Sequence, residues 1–177
     1  HVSGPLMQTF FTADQLSNAR IAEADGILRK CVHCGFCTAT CPTYVLRGDE
    51  RDSPRGRIYL IKNMLEAGAT TAETVTHIDR CLSCLACVTT CPSGVDYMHL
   101  IDEARAHVEE TYRRPLADRL LRFLLATVLP RPALFRLALA GARSASFLRP
   151  LLKGPGAGRM TALLDLAHSR PAMRAAT

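Results

Sequence analysis

The sequence predicts a mainly α fold in which short helices bracket two metal-binding cysteine loops. Three observations carry this. All 8 cysteines fall between Cys31 and Cys91, in two runs of identical spacing. Apolar residues recur at helical intervals around those runs, behind recognisable capping residues. No stretch alternates apolar and polar side chains as a half-buried strand would.

The elements follow in order. Residues 1–12 are expected to be an N-terminal tail, with His1–Leu6 foreign to the fold and Met7 a natural start. A first helix is expected over Ala13–Leu28, opened by Thr12 and Gln15 at capping-box spacing and carrying Leu16, Ala19 and Ile27. The first cysteine run follows, then a polar loop over Arg47–Asp52. Ser53-Pro54 reads as N-cap and first helical residue. Ile58, Ile61 and Leu65 form the apolar face behind it, and Ala67-Gly68 closes that helix. Thr70 and Glu73 give another capping box, ahead of a helix with Val75, Ile78 and Leu82. After the second run, Tyr97, Ile101, Ala104 and Val108 mark a fourth helix. Further on, Pro115 opens a helix through Val128, Pro130 and Pro132 interrupt it, and Leu134–Leu139 resume it. Gly154–Gly158 reads as a break, and Met160–His168 as a last short helix.

Composition narrows the function. Hydrophobic residues make up 48% and charged residues 21%, so the 177-residue chain is not globally disordered. The net charge of +6 hides an asymmetry: residues 1–110 hold 10 basic and 14 acidic side chains, residues 111–177 hold 12 and 2. The expected organisation is a body over residues 13–111 and a basic helical extension over 112–177. No apolar run approaches the ~18 residues of a spanning helix. No secretory leader is recognisable, so a reducing cytoplasm is expected, where clustered cysteines serve metal or redox chemistry. A nucleophile elbow, dinucleotide fingerprint, P-loop and zincin motif are all absent from the sequence. The chain is therefore expected to transfer electrons rather than catalyse a reaction at carbon.

The first run is Cys31-Val-His-Cys34-Gly-Phe-Cys37-Thr-Ala-Thr-Cys41-Pro42, and the second is Cys81-Leu-Ser-Cys84-Leu-Ala-Cys87-Val-Thr-Thr-Cys91-Pro92. Each cysteine of the second lies 50 residues beyond its counterpart. The pattern C-x₂-C-x₂-C-x₃-C-P is the bacterial ferredoxin run for [4Fe–4S] clusters, whose fourth cysteine ligates the other cluster. Cys31, Cys34, Cys37 and Cys91 are thus expected to hold one cluster, and Cys81, Cys84, Cys87 and Cys41 the other. Soft thiolates suit such clusters. Two Cys₄ zinc sites would also use eight cysteines, but zinc sites usually take two separated pairs each. A zinc-loaded module whose basic arm grips nucleic acid is the rival reading from another class. Few aromatics accompany the basic arm, which speaks against nucleic acid.

The residues between the cysteines carry a family resemblance. Cys31–Tyr44, Gly48-Asp-Glu50, Ser53-Pro-Arg-Gly-Arg-Ile-Tyr-Leu-Ile-Lys62 and Cys91-Pro-Ser-Gly-Val95 resemble the iron–sulfur subunits of bacterial glycolate oxidases, over roughly residues 7–150. Iron–sulfur subunits of lactate, glycerol-3-phosphate and heterodisulfide-reductase systems share the cysteine pattern but match less well between. The resemblance implies an α-helical ferredoxin domain with two [4Fe–4S] clusters. It implies FAD-containing glycolate oxidase subunits as partners, and electrons passed toward the respiratory quinone pool. The family continues into a region of Cys-Cys-Gly motifs that this sequence lacks, so the chain is expected to be an N-terminal portion.

Other residues complete the candidate set. Gly35 is expected to allow the backbone close to a cluster. Arg55 and Arg57 are expected either to offset cluster charge or to pair with Asp49, Glu50 or Asp52. His33 is expected to fit its turn at the surface, and Thr40 and Thr90 to cap turns. The arginines and leucines of Tyr112–Leu152 suit an interfacial amphipathic helix, with peripheral attachment to the cytoplasmic face of the inner membrane, or packing on further protein.

Overall fold

The computed structural model describes residues 7–144. Ten α-helices and one 3₁₀ turn appear among them, with no strand, so the mainly α expectation holds. The chain divides into two units, His1–Arg113 and Arg114–Thr177.

The first unit opens with α1 (Ala13–Leu16) and α2 (Ala19–Leu28), where a single helix was expected. Asn18 causes the break. Its backbone is extended, and its side chain accepts from the Arg20 N–H to start a new helix. The Thr12–Gln15 capping box is present at α1. Residues 7–12 are not a loose tail. The Met7 N–H donates to the Cys31 carbonyl at 3.1 Å, and Met7 is buried in the core.

Two short helices, α3 (Phe36–Ala39) and α4 (Pro42–Arg47), carry the chain out of the first cysteine loop. A 3₁₀ turn, Glu50–Asp52, leads into α5 (Pro54–Ala67), capped by Ser53 and closed by left-handed Gly68 as expected. The Arg47–Asp52 stretch is not simply a polar loop, because Asp52 is fully buried. The turn lies so close to α5 that a Cβ on Gly56 would sit 2.0 Å from the Glu50 carbonyl oxygen.

Helix α6 (Ala72–Asp79) starts one residue later than the sequence suggested. Thr71 is its N-cap and accepts from the Thr74 N–H, while Thr70 bonds Thr111 and Glu73 pairs with Arg51. Leu82 lies beyond the helix and is exposed, so it is not part of that apolar face. Helix α7 (Ala86–Thr90) leaves the second loop, and α8 (Tyr97–Thr111) buries Tyr97, Leu100, Ile101, Ala104 and Val108.

One core joins these helices. Leu28 from α2, Ile61 and Leu65 from α5, Ile78 from α6 and Leu100, Ile101 and Val108 from α8 are all essentially inaccessible. Each such side chain contributes about 1.5–3 kcal/mol of burial. Cys31 and Cys87 belong to the same core, so the cysteine loops are anchored in it rather than appended.

The second unit holds α9 (Leu116–Val128), opened by Pro115, and α10 (Pro132–Ser144). Helix α9 buries none of its side chains, and Leu116, Leu120, Phe123 and Leu124 are exposed along it. Gly154–Gly158 and Met160–His168 lie outside the described residues.

Candidate metal centre

The two cysteine loops have the same backbone. His33 and its counterpart Ser83 have φ of 51° and 49°, and Gly35 and its counterpart Leu85 have 84° and 57°. Each three-cysteine loop therefore alternates through left-handed residues before its short helix begins. Successive turns of this kind gather N–H groups on a concave side, which suits an anionic cluster. At position 35 glycine meets a second demand. A Cβ there would come within 2.6 Å of the Arg55 guanidinium. The tight contact at Gly35 is with an arginine on α5.

Two cavities form against these loops. The first, with about 430 Å³ of empty volume, is lined by Cys31, Cys34, Cys37 and Cys91, and Cys87 reaches its wall. The second, about 310 Å³, is lined by Cys41, Cys81, Cys84 and Cys87. The first thus combines three cysteines of the first run with Cys91 and the shared Cys87, and the second combines three of the second run with Cys41. Pro54, Cys87 and Tyr97 line both, so a single layer of side chains separates them.

The donor chemistry fits clusters. None of the eight cysteines is in a disulfide, and Cys34 and Cys84 are exposed while Cys31, Cys41 and Cys87 are buried. Burial pushes the Cys31 thiol up, Cys37 up to about 11 and Cys87 up to about 12. Buried thiols this weakly acidic need a metal to become thiolates. Cys41 differs: burial raises it, but hydrogen bonds from Thr43, the Tyr44 backbone and Arg57 hold it below the usual thiol value. Ser93 lines the first cavity, and its buried hydroxyl has no partner among the described residues. A cluster sulfur would supply one.

Arg55 and Arg57 both form ion pairs, and both also touch the cysteine sites. Arg55 pairs with Glu50 and lines the first cavity. Arg57 is 1% exposed and donates to the His77 carbonyl at 2.7 Å, to Thr43 Oγ1 at 3.0 Å and to Asp52 Oδ1 at 3.4 Å. Its remaining Nη1 points at Cys41 Sγ, 3.8 Å away. Asp52 also accepts from Arg47 at 2.9 Å and Arg80 at 3.1 Å, and lies 2.8 Å from His77 Nδ1. Burial raises the Asp52 carboxyl, but His77 and the arginines hold it below the usual carboxylate range. Asp49, Asp52 and His77 lie close enough to hold a cation. Guanidiniums already fill that role.

The sequence reading missed two site residues. Tyr97 is buried in the core, and its hydroxyl donates to Cys81 Sγ at 3.6 Å. Arg105 donates to Ser83 Oγ at 2.6 Å and to the Cys81 carbonyl at 2.8 Å. Both stand on α8, and nothing in their local sequence marks them. His33 is exposed, and its ring meets Tyr59 edge-on at 6.4 Å. Thr40 and Thr90 bond carbonyls of their own short helices, Cys37 and Ala86.

Residues 30–95 match the family model of the 4Fe-4S dicluster domain. The segment is a dicluster iron–sulfur module, and two [4Fe–4S] clusters are its cofactors. The chain is 53% identical over 168 residues to the glycolate oxidase iron-sulfur subunit of Escherichia coli (strain K12), covering 95% of this chain and 40% of that protein. It is 41% identical over 100 residues to the probable glycolate oxidase iron-sulfur subunit of Bacillus subtilis (strain 168), covering 55% of this chain and 22% of that one. The resemblance read from the intervening residues is thus borne out, and the chain spans two fifths or less of these relatives. No solved structure matches it significantly.

Proposed function

We propose that this chain is the electron-transfer part of a glycolate-type 2-hydroxy-acid oxidase complex. One observation carries the reading: two cysteine runs of identical spacing line two adjoining cavities with a shared wall, Cys91 standing with the first run and Cys41 with the second. Cys31, Cys34, Cys37 and Cys91 hold one cluster; Cys41, Cys81, Cys84 and Cys87 hold the other. The clusters supply one-electron storage at sulfur-ligated iron. The chain's own residues fix their spacing, exclude water on the core side and set the local charge. An FAD-containing partner performs the oxidation of the 2-hydroxy acid, and the electrons continue toward a quinone. The names of the relatives support the substrate class.

Anaerobically reconstituted protein is expected to hold about eight irons and eight sulfides per chain. Two zincs and no sulfide in a fully helical protein would overturn the cluster assignment. Co-purification from the native host tests the partner. A flavoprotein that reduces the chain with glycolate supports the proposal. A partner specific for lactate or glycerol-3-phosphate would move it to those systems.

Helices α9 and α10 fit an anionic lipid surface on the cytoplasmic face of the inner membrane. Apolar side chains are exposed along α9, and Arg119, Arg131 and Arg136 are exposed with them. Each such cation gains about 1 kcal/mol near an anionic surface, and salt screens it. No described helix is long and apolar enough to cross a membrane. The expected result is pelleting with anionic vesicles at low salt and release at high salt. No pelleting under either condition would leave these helices to dock on a partner subunit.

A further inference from the structure

The two cysteine sites share a backbone but not an electrostatic setting. Exposure does not separate them: each has one exposed thiol, Cys34 or Cys84, and each has buried ones. Hydrogen bonds do. At the second site, Arg57 Nη1 points at Cys41 Sγ at 3.8 Å and the Tyr97 hydroxyl at Cys81 Sγ at 3.6 Å. At the first site the donors are neutral: the His33 N–H toward Cys31, the Arg55 backbone N–H toward Cys37, and the Ser93 hydroxyl in the cavity wall.

Charge adds to this. Arg47, Arg57 and Arg80 gather around the Asp52 carboxylate beside Cys41, with the Asp49–Arg51 pair close by. At the first site Arg55 is balanced by Glu50. Arg105 binds the second loop at the Cys81 carbonyl. Donors aimed at sulfur and nearby positive charge both favour the reduced, more negative cluster, and so raise its potential.

We infer that Arg57 and Tyr97 make the site of Cys41, Cys81, Cys84 and Cys87 the more easily reduced of the two. This rests on the crossed ligand sets proposed above. A single electron entering the module then resides mainly at that site, with no bond made or broken. Arg57 and Tyr97 are positioning residues, acting through ligand sulfurs.

The test is a potentiometric titration of the reconstituted full chain, followed by paramagnetic resonance, which reads two midpoints. Arg57→Gln is expected to lower the reduced-to-oxidised ratio of the higher-potential cluster about tenfold at fixed potential, which is 59 mV for a one-electron couple. Tyr97→Phe is expected to lower the same midpoint, about threefold in that ratio. Both should leave the other midpoint in place. If Arg57→Gln fails to load iron, Arg57→Lys keeps the buried charge while altering the donor geometry. Should the two substitutions move different midpoints, Cys41 and Cys81 serve different clusters and the ligand sets are wrong. If they move the lower midpoint together, the ligand sets stand and the tuning is overturned; if neither midpoint moves in a fully loaded protein, the tuning is overturned.

Discussion

Replacing Cys41 with Ser is expected to cost the cluster of the second loop, although Cys41 lies in the first run. Iron content should fall from about eight to about four per chain. The reason is geometric. Cys41 lines the cavity of Cys81, Cys84 and Cys87, and it is absent from the cavity of Cys31, Cys34 and Cys37. Pairing the substitutions makes the assignment readable from iron alone. Adding Cys84→Ser to Cys41→Ser should remove little more, because both ligate one cluster. Adding Cys34→Ser should remove the remaining iron. If the Cys34 pairing spares half the iron and the Cys84 pairing removes all of it, each run holds its own cluster.

Asp52→Ala is expected to be the most damaging substitution outside the cysteines. Asp52 has no exposed surface and accepts from Arg47, Arg57, Arg80 and His77. Removing one member of a buried charged set leaves the others desolvated and unpaired, at about 3–5 kcal/mol. A domain of this size has about 5–15 kcal/mol to lose. The expected result is a large drop in the urea midpoint of the iron-loaded protein. Asp52→Asn keeps the shape and should lie between. Asp49→Ala is the control. Its partner Arg51 is exposed, and exposed pairs contribute little. Equal midpoints for Asp52→Ala and Asp49→Ala would show that the buried network does not hold the fold.

The sequence made some of this architecture readable and concealed the rest. The cysteine repeat, the Ser53-Pro54 start and the Gly68 stop are local signals, so they survive without tertiary information. The Asn18 break is also local, but continuing apolar periodicity through Ile27 masked it. Thr70 and Thr71 present the same chemistry one residue apart, and only the contact of Thr70 with Thr111 separates them. Asp52 sits in a stretch dense in charge, which reads as solvated. Its burial follows from His77 and Arg80, 25 and 28 residues away. Leu85 is the least legible position. A left-handed leucine costs about 1–2 kcal/mol, and only its register with Gly35 in the repeat points to that conformation.

The crossing of the two runs sets a clock on assembly. Neither four-cysteine cavity can close while only one run exists, because each takes its last wall from the other. Chains are made at about 5–20 residues per second, so the ~50 residues between the runs take about 3–10 s. For that interval the first three thiols wait, and Cys34 waits exposed. A half-made module is thus an oxidisable intermediate, and neither run completes a four-cysteine site by itself. Delivery of iron and sulfide to either site has to follow emergence of the second run from the ribosome, with Cys87 completing one ligand set and Cys91 the other.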